Sequence, residues 1–369
     1  MTFGENSLES IGSIVAGTSV VVVTSPGFRK RGLVNRIEEL LNERVAFVLD
    51  TVTPNPSLEY IDDLRNIQEL DKADSIIALG GGSSLDTAKA LSRILKSQKT
   101  KPLSDLFWKG TGIGADGAVP IIAIPTTAGT GSEVTPTATI WDNQAGMKRS
   151  LCGDDLYPKV AMADPTLTYN LPESITVSSG LDAVSHALES IWNNNANPVS
   201  LMLATQSLRL SLNALPRLKI NGHDYQARSS MMQASLMAGL AISQTRTALS
   251  HSMSYPLTME FGIPHGIACS FALPEILEFN ASSDDGRLEA LAADIGLKTI
   301  SSLGIELRRL LKQLLFDTDY RNDIIEISLT RDLRKRMFTE GRMDNNLRPA
   351  KSDDLDHILR EAFHRYEVQ

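Results

Sequence analysis

Asp182 and His186 stand one helical turn apart in SGLDAVSHALES, and His251 and His265 follow later in the chain. A carboxylate and an imidazole at i and i+4 share one face of a helix. Later imidazoles can complete a divalent metal site that keeps one position open for a substrate. His251 and His265 are 14 residues apart (265 − 251), with Pro256, Gly262 and Pro264 between them. A helix is therefore expected to end, and the chain to turn back, before His265. A helical Asp–His pair alone is more often a surface pair or a buried hydrogen bond; the two later histidines favour a catalytic metal centre. One anionic and three imidazole donors suit Fe(II) or Zn(II), and residue type does not choose between them.

A second set of residues suits a dinucleotide. Gly80, Gly81, Gly82 and Ser83 follow a predicted strand and open the predicted helix SSLDTAKALSRIL. Glycines there let the backbone approach a pyrophosphate, and the free N–H groups of a helix start favour its charge. The pattern is not GxGxxG, and a plain strand-to-helix turn is the competing reading. PTTAGTGSEVTPTATI at 125–140 leaves another predicted strand with Thr126, Thr127, Thr130, Ser132 and Thr135 in a glycine-bearing loop. Hydroxyls at the carboxyl end of a parallel strand suit ribose, phosphate and amide groups. Asp50 ends the strand VAFVLD, where a carboxylate can accept both ribose hydroxyls and repel the extra phosphate of NADP, so NADH is expected over NADPH.

The elements that must position these residues are legible as two textures. Apolar runs at 19–24, 45–50, 75–80 and 120–125 alternate with helical patterns at 28–42, 57–68 and 83–97. Such β-branched runs predict strands buried on both faces of a parallel sheet, hence a doubly wound α/β domain. After Pro165 the chain becomes long Ala-, Leu-, Met- and Ser-rich segments with apolar residues at helical spacing. The expected division is an α/β domain over 1–170 and a helical domain over 171–369, with an active site in the cleft between them.

Composition narrows the partners. A formal charge of −8 argues against nucleic acid or an anionic membrane and for small molecules. Cys152 and Cys269 are the only cysteines and form no CxxC cluster, which fits the cytoplasm; Cys269 reads as a small core side chain. The first residues carry no basic-then-apolar leader, and no apolar run approaches the roughly 20 residues of a membrane span. His223, His357 and His364 each sit in a charged, helical context and read as surface residues.

With these motifs in hand, the chain resembles the iron-containing, group III metal-dependent alcohol dehydrogenase family, related in fold to glycerol dehydrogenase and dehydroquinate synthase. The resemblance covers nearly the whole chain: GGGSSLDTAKA, PTTAGTGSEVT, ADPTLTYNLP, GLDAVSHALES, PHGIACSFALPEILEFN and the tail DNNLRPAKSDDLDHILREAF. It implies metal ligation by Asp182, His186, His251 and His265. It also implies cofactor contacts from Asp50, Gly81, Gly82, Ser83, Asp86, Thr126, Thr127, Thr130, Ser132, Thr135 and Lys148. Homo-oligomers are usual in such families.

One departure stands out. Many members carry a further histidine four residues after the first histidine of the later segment, where this chain reads HSMSYPLT with Tyr255. A neutral phenol is a weak base at pH 7 but can donate a hydrogen bond, so Tyr255 becomes the candidate near the substrate. The segment SQTRTALSHSMSYPLTMEFGIPHGIACSFALPEI resembles the branch of the family that reduces phosphonoacetaldehyde to 2-hydroxyethylphosphonate in phosphonate antibiotic biosynthesis. Arg246, five residues before His251, would suit a phosphonate dianion; an ordinary salt bridge is the rival reading. The expected reaction is NADH-linked reduction of an aldehyde to a primary alcohol. A general short-chain alcohol or diol dehydrogenase, a dehydroquinate-synthase-like lyase and a non-catalytic scaffold are the alternatives.

Overall fold

The computed structural model describes residues 1–97, 101–110, 117–315, 324, 331–338 and 342–368. The chain divides into two compact units, one comprising 1–127 and 131–168, the other 128–130 and 169–369.

The first unit is built on a six-stranded sheet in the order β1 (Thr2–Phe3), β8 (Val160–Ala163), β5 (Ile121–Pro125), β4 (Ser75–Gly80), β2 (Val20–Thr24) and β3 (Val45–Leu49). Every pairing in it is parallel. β2, β4 and β5 are buried along their whole length, as their unbroken Val, Ile and Ala runs require when helices cover both faces. β3 departs from that expectation: only Leu49 is fully buried and Ala46 is exposed, because β3 is the edge strand beside β2. The helical pattern at 28–42 is likewise two helices, Pro26–Lys30 and Leu33–Leu41, broken where Gly32 adopts φ 79°. A separate antiparallel hairpin joins β6 (Thr137–Asp142) to β7 (Met147–Cys152).

The strand order reverses between β2, which leads outward to β3, and β4 on its other side. In parallel sheets the crevice outside the carboxyl ends of the strands at such a switch point is where nucleotides bind. The Gly80–Ser83 turn lies there, at the end of β4.

Among the described residues the second unit consists of helices with no strand. Helices Glu173–Ile191, Pro198–Ile220 and Tyr225–Thr245 pack on one another, and Leu249–Phe261, His265–Ser270 and Leu273–Ala281 pack beside them. Their apolar faces form one continuous core running from Val177 to Tyr366. Asn197 caps the 198–220 helix by accepting from the amides of Val199 and Ser200, which fixes where that long helix starts. The Leu249–Phe261 helix ends at Gly262, which takes the left-handed conformation at φ 66° and turns the chain back toward His265. Among the described residues no helix is long and apolar enough to cross a membrane. His223, His357 and His364 are exposed, but His223 lies in the turn between two helices, where Asn221 accepts from its amide, and not in a helix.

Candidate metal centre and nucleotide-binding edge

Asp182 and His186 project from the 173–191 helix, His251 from the first turn of the 249–261 helix, and His265 begins the 265–270 helix. The last approach depends on Gly266. A Cβ there would lie 1.8 Å from the Ser178 carbonyl oxygen and 3.0 Å from Asp182 Cβ, so only glycine lets this turn press against the 173–191 helix.

Asp182 Oδ1 stands 3.4 Å from His251 Nε2 and 3.7 Å from His186 Nε2. The His186 and His251 rings stack at 4.7 Å, and His265 meets His251 nearly edge-on at 5.4 Å. Two donors on one ion, each about 2.0–2.3 Å from it at a tetrahedral angle, stand roughly 3.3–3.7 Å apart. The spacing therefore fits a single divalent cation. Asp182 Oδ1, His186 Nδ1 and His251 Nε2 are buried and have no hydrogen-bond partner among the described residues. Each orphaned buried polar atom costs about 1–3 kcal/mol, which coordination would offset for Asp182 Oδ1 and His251 Nε2, whereas His186 presents Nε2 to Asp182 rather than its orphaned Nδ1.

Two residues of this centre were not anticipated. Glu189, fully buried, accepts from His251 Nδ1 at 2.6 Å and from the His251 amide at 3.1 Å. That contact fixes the ring so that Nε2 faces Asp182, the arrangement by which an outer carboxylate orients a metal-bound imidazole. Glu189 lies seven residues after Asp182 and three after His186, so helical spacing alone carried the signal. Cys269 is buried as expected, but it is more than core filling: its Sγ lies 3.5 Å from His265 Nδ1. Asp182, His251, His265 and Cys269 each offer one donor atom, all within 4.8 Å of one another, and His186 joins them through Asp182.

Burial works against charge on Asp182, yet His186, His265 and His251 together hold its carboxyl well below the usual range. Glu189 behaves alike: burial opposes its ionisation, but His251 and the backbone bring it down to about 2. Burial lowers His186, keeping that imidazole neutral and able to donate a lone pair. Tyr255, one turn after His251, is half-buried and stacks on the His265 ring at 6.2 Å. Arg246 is exposed at the end of the 225–245 helix, with φ 64° and ψ 176°, a conformation strained for any residue but glycine. Asn193 Nδ2 holds it there by donating to the Arg246 carbonyl oxygen at 3.1 Å.

In the first unit, Gly80 has φ 150°, and a Cβ there would strike Ser84 Oγ at 2.4 Å. Gly81 precedes the Gly82–Lys96 helix and faces the Thr127 side chain, which a Cβ would approach to 3.3 Å. The Thr126 amide donates to the Gly80 carbonyl, so the GGGS turn and the start of the threonine loop share one sheet edge. Thr126 Oγ1 is buried without a hydrogen-bond partner among the described residues. Ser83 Oγ accepts from the Asn55 amide.

Ser132 and Thr135 face inward. Lys89 Nζ donates to Ser132 Oγ at 2.8 Å and to Thr135 Oγ1 at 3.4 Å, while Ser132 donates to Asp86, which also accepts from the Thr139 amide. These residues anchor the loop from beneath. Lys148, on β7, lies with its Nζ 4.6 Å above the Trp141 ring. Asp50 accepts from Arg29 Nε at 2.6 Å, so the carboxylate expected to reject a 2′-phosphate has a guanidinium beside it. Thr130 belongs to the second unit.

Known proteins resemble this chain over nearly its whole length. Residues 1–165 match the iron-containing alcohol dehydrogenase model, and residues 176–363 match that of the Fe-containing alcohol dehydrogenase family, C-terminal. A sulfoacetaldehyde reductase of Bilophila wadsworthia is 30% identical over 94% of this chain and 92% of its own length. The NAD-dependent methanol dehydrogenase of Bacillus methanolicus is 28% identical over 97% of each. Among solved structures, sulfoacetaldehyde reductase from Bifidobacterium kashiwanohense in complex with NAD+ has a TM-score of 0.89 at 30% identity, covering 98% of this chain and 96% of that one.

Proposed function

The chain belongs to the iron-containing alcohol dehydrogenase family, and from that premise we propose that it reduces a short aldehyde to a primary alcohol with NADH. The specific reaction is phosphonoacetaldehyde to 2-hydroxyethylphosphonate. The observation that carries the redox reading is the cluster of Asp182, His251 and His265, joined by His186 through Asp182 and buried but for the half-buried His265, with its orphaned donor atoms.

Asp182, His186, His251 and His265 would hold a divalent metal, Fe(II) or Zn(II), whose chemistry would be polarisation of the carbonyl. Gly81, Gly82, Thr126 and Thr127 would hold NADH, whose chemistry would be hydride donation. The chain's own residues do the rest. Asp182 stays ionised as the anionic donor. Glu189 holds the His251 ring in register. The Tyr255 hydroxyl is a donor beside His265 through which a proton can reach the new alcohol. A cytoplasmic setting fits two unpaired cysteines.

The substrate reading rests on the 246–265 segment and on the relatives. Sulfoacetaldehyde, named for two of them, is a two-carbon aldehyde bearing a tetrahedral oxyanion, as phosphonoacetaldehyde is. Arg246, held in a strained conformation five residues before His251, supplies a cation for such a head group. Sulfoacetaldehyde itself is the second reading, favoured by those relatives.

NADH oxidation by metal-reconstituted protein, with phosphonoacetaldehyde, sulfoacetaldehyde and propanal at matched concentrations, tests the proposal. A clear preference for phosphonoacetaldehyde is expected. Preference for the sulfonate would move the substrate to the second reading, and equal rates on all three would leave a general alcohol dehydrogenase.

A further inference from the structure

Within the metal centre, exposure is uneven: Asp182, His186, His251 and Cys269 are buried, while His265 and Tyr255 are only half-buried. The centre is therefore most accessible on the His265–Tyr255 side. Over the Tyr255 ring lies Arg342. Its Cζ lies 4.6 Å above the centroid of the Tyr255 ring, and its Nη1 donates to Thr247 Oγ1 at 3.0 Å.

We propose that Arg342, stacked on Tyr255 and tethered to Thr247, joins Arg246 in recognising the oxyanion head of the aldehyde substrate. This rests on the anionic-aldehyde reading above and adds to it a recognition residue and the platform that supports it. A guanidinium that gives its face to an aromatic ring directs its N–H groups edgewise, the geometry that grips phosphonate or sulfonate oxygens. Arg342 stacks on Tyr255, and Tyr255 stacks on His265, so the guanidinium is linked to a metal-site imidazole through one aromatic ring. Tyr255 suits the place because its ring is neutral and its face attracts a cation, whereas an imidazole, once protonated, would repel one.

The surroundings fix Arg342 in place. It caps the short helical turn Met343–Asn345, whose first side chain is buried. Asn345 Nδ2 donates to the Thr247 carbonyl at 3.0 Å, and Asn346 exchanges hydrogen bonds with buried Asn280. On the facing segment, Asn195 holds the Thr245 carbonyl and Asn193 the Arg246 carbonyl. The backbone of Thr245, Arg246 and Thr247, strained at Arg246, is thus held by three asparagine side chains (193, 195 and 345), the last of them on the turn that Arg342 opens. An orienting role of this kind needs that preorganisation.

The test compares kcat/KM on phosphonoacetaldehyde and propanal in metal-reconstituted wild type, Arg342→Ala, Arg342→Lys, Tyr255→Phe and Tyr255→Ala. Calorimetric binding of 2-hydroxyethylphosphonate to the same holoproteins accompanies it. Arg342→Ala should lower the phosphonoacetaldehyde-to-propanal ratio about 100-fold, as loss of a charge-assisted contact predicts. Arg342→Lys should recover part of that ratio. Tyr255→Phe should keep the ratio and Tyr255→Ala should lose it, because the ring face and not the hydroxyl supports the guanidinium. Calorimetric affinity for the product should fall in parallel. A wild-type preference that survives intact in Arg342→Ala would overturn this assignment while leaving the substrate reading standing. A wild type with no preference for the anionic aldehyde would overturn the substrate reading and the anchor with it.

Discussion

The two units each bury a carboxylate among polar side chains, and they settle its charge in opposite ways. In the first, Glu133 is pushed up to about 7, chiefly by burial, although its own backbone and Lys89 pull the other way. Its Oε1 has no hydrogen-bond partner among the described residues, and a proton is the cheapest way to neutralise it. Lys89 beside it is fully buried and brought down to about 8, but its ammonium finds Ser132, Thr135 and the Thr137 carbonyl. In the second unit, Asp182 is equally buried yet held well below its usual range by three imidazoles, two of which leave ring nitrogens orphaned. The Lys89 cluster meets its charges with its own hydroxyls and carbonyls and, at Glu133, with a proton. One that gathers an anion, imidazoles and a thiol within 4.8 Å, with Asp182 Oδ1 and His251 Nε2 left without partners among the described residues, is built for a cation.

The sharpest way to break this contrast is to remove one donor from each cluster. His265→Ala should cut turnover by ~10³-fold or more and lower metal occupancy, with the unfolding temperature of the metal-stripped protein little changed, measured by elemental analysis and NADH oxidation. Lys89→Met should do the reverse. It leaves Ser132, Asp86 and the Thr137 carbonyl without their buried cation, so stability should fall by about 3 kcal/mol in urea unfolding while metal occupancy stays at the wild-type level.

Glu189→Gln sharpens the comparison at one remove. It keeps the size of the side chain that orients His251 but loses its charge, and metal affinity should weaken by ~10- to 100-fold in a competitive chelator titration. The smallest effect belongs to Glu133. Its folded pKa of about 7 lies above the ordinary 4.5, so the folded chain keeps a proton that the unfolded chain has already released. The stability this contributes is complete below pH 4.5 and is lost as pH rises through 7. Urea unfolding of wild type against Glu133→Gln at pH 5 and pH 7.5 should show the wild type losing more stability over that interval; parallel losses would mean that Glu133 does not hold the proton.

The same contrast explains what could be read from the sequence. β2, β4 and β5 were legible because a strand buried on both faces must be apolar throughout, and their runs are. β3 has a similar run but lies at an edge, and position in a sheet leaves no mark on a run of six residues. β1 and β8 are too short, at 2 and 4 residues, to show a period. In the second unit, Asp182 and His186 were legible because helical spacing places them on one face, and Glu189 was equally available by that rule. Cys269 was legible as buried but not as a neighbour of His265, since burial alone does not tell a core thiol from a donor. Arg342 was beyond reach: it follows Tyr255 by 87 residues (342 − 255), and only the folded chain brings a guanidinium over that ring.

The most direct test of the central claim is a calorimetric titration of metal-stripped protein with Zn(II) and, anaerobically, with Fe(II), run in parallel on wild type and Asp182→Asn. One tight site per chain is expected in wild type, lost or greatly weakened in the variant, with the secondary structure of both unchanged by circular dichroism. Equal binding by the two proteins, or none by the wild type, would contradict the claim.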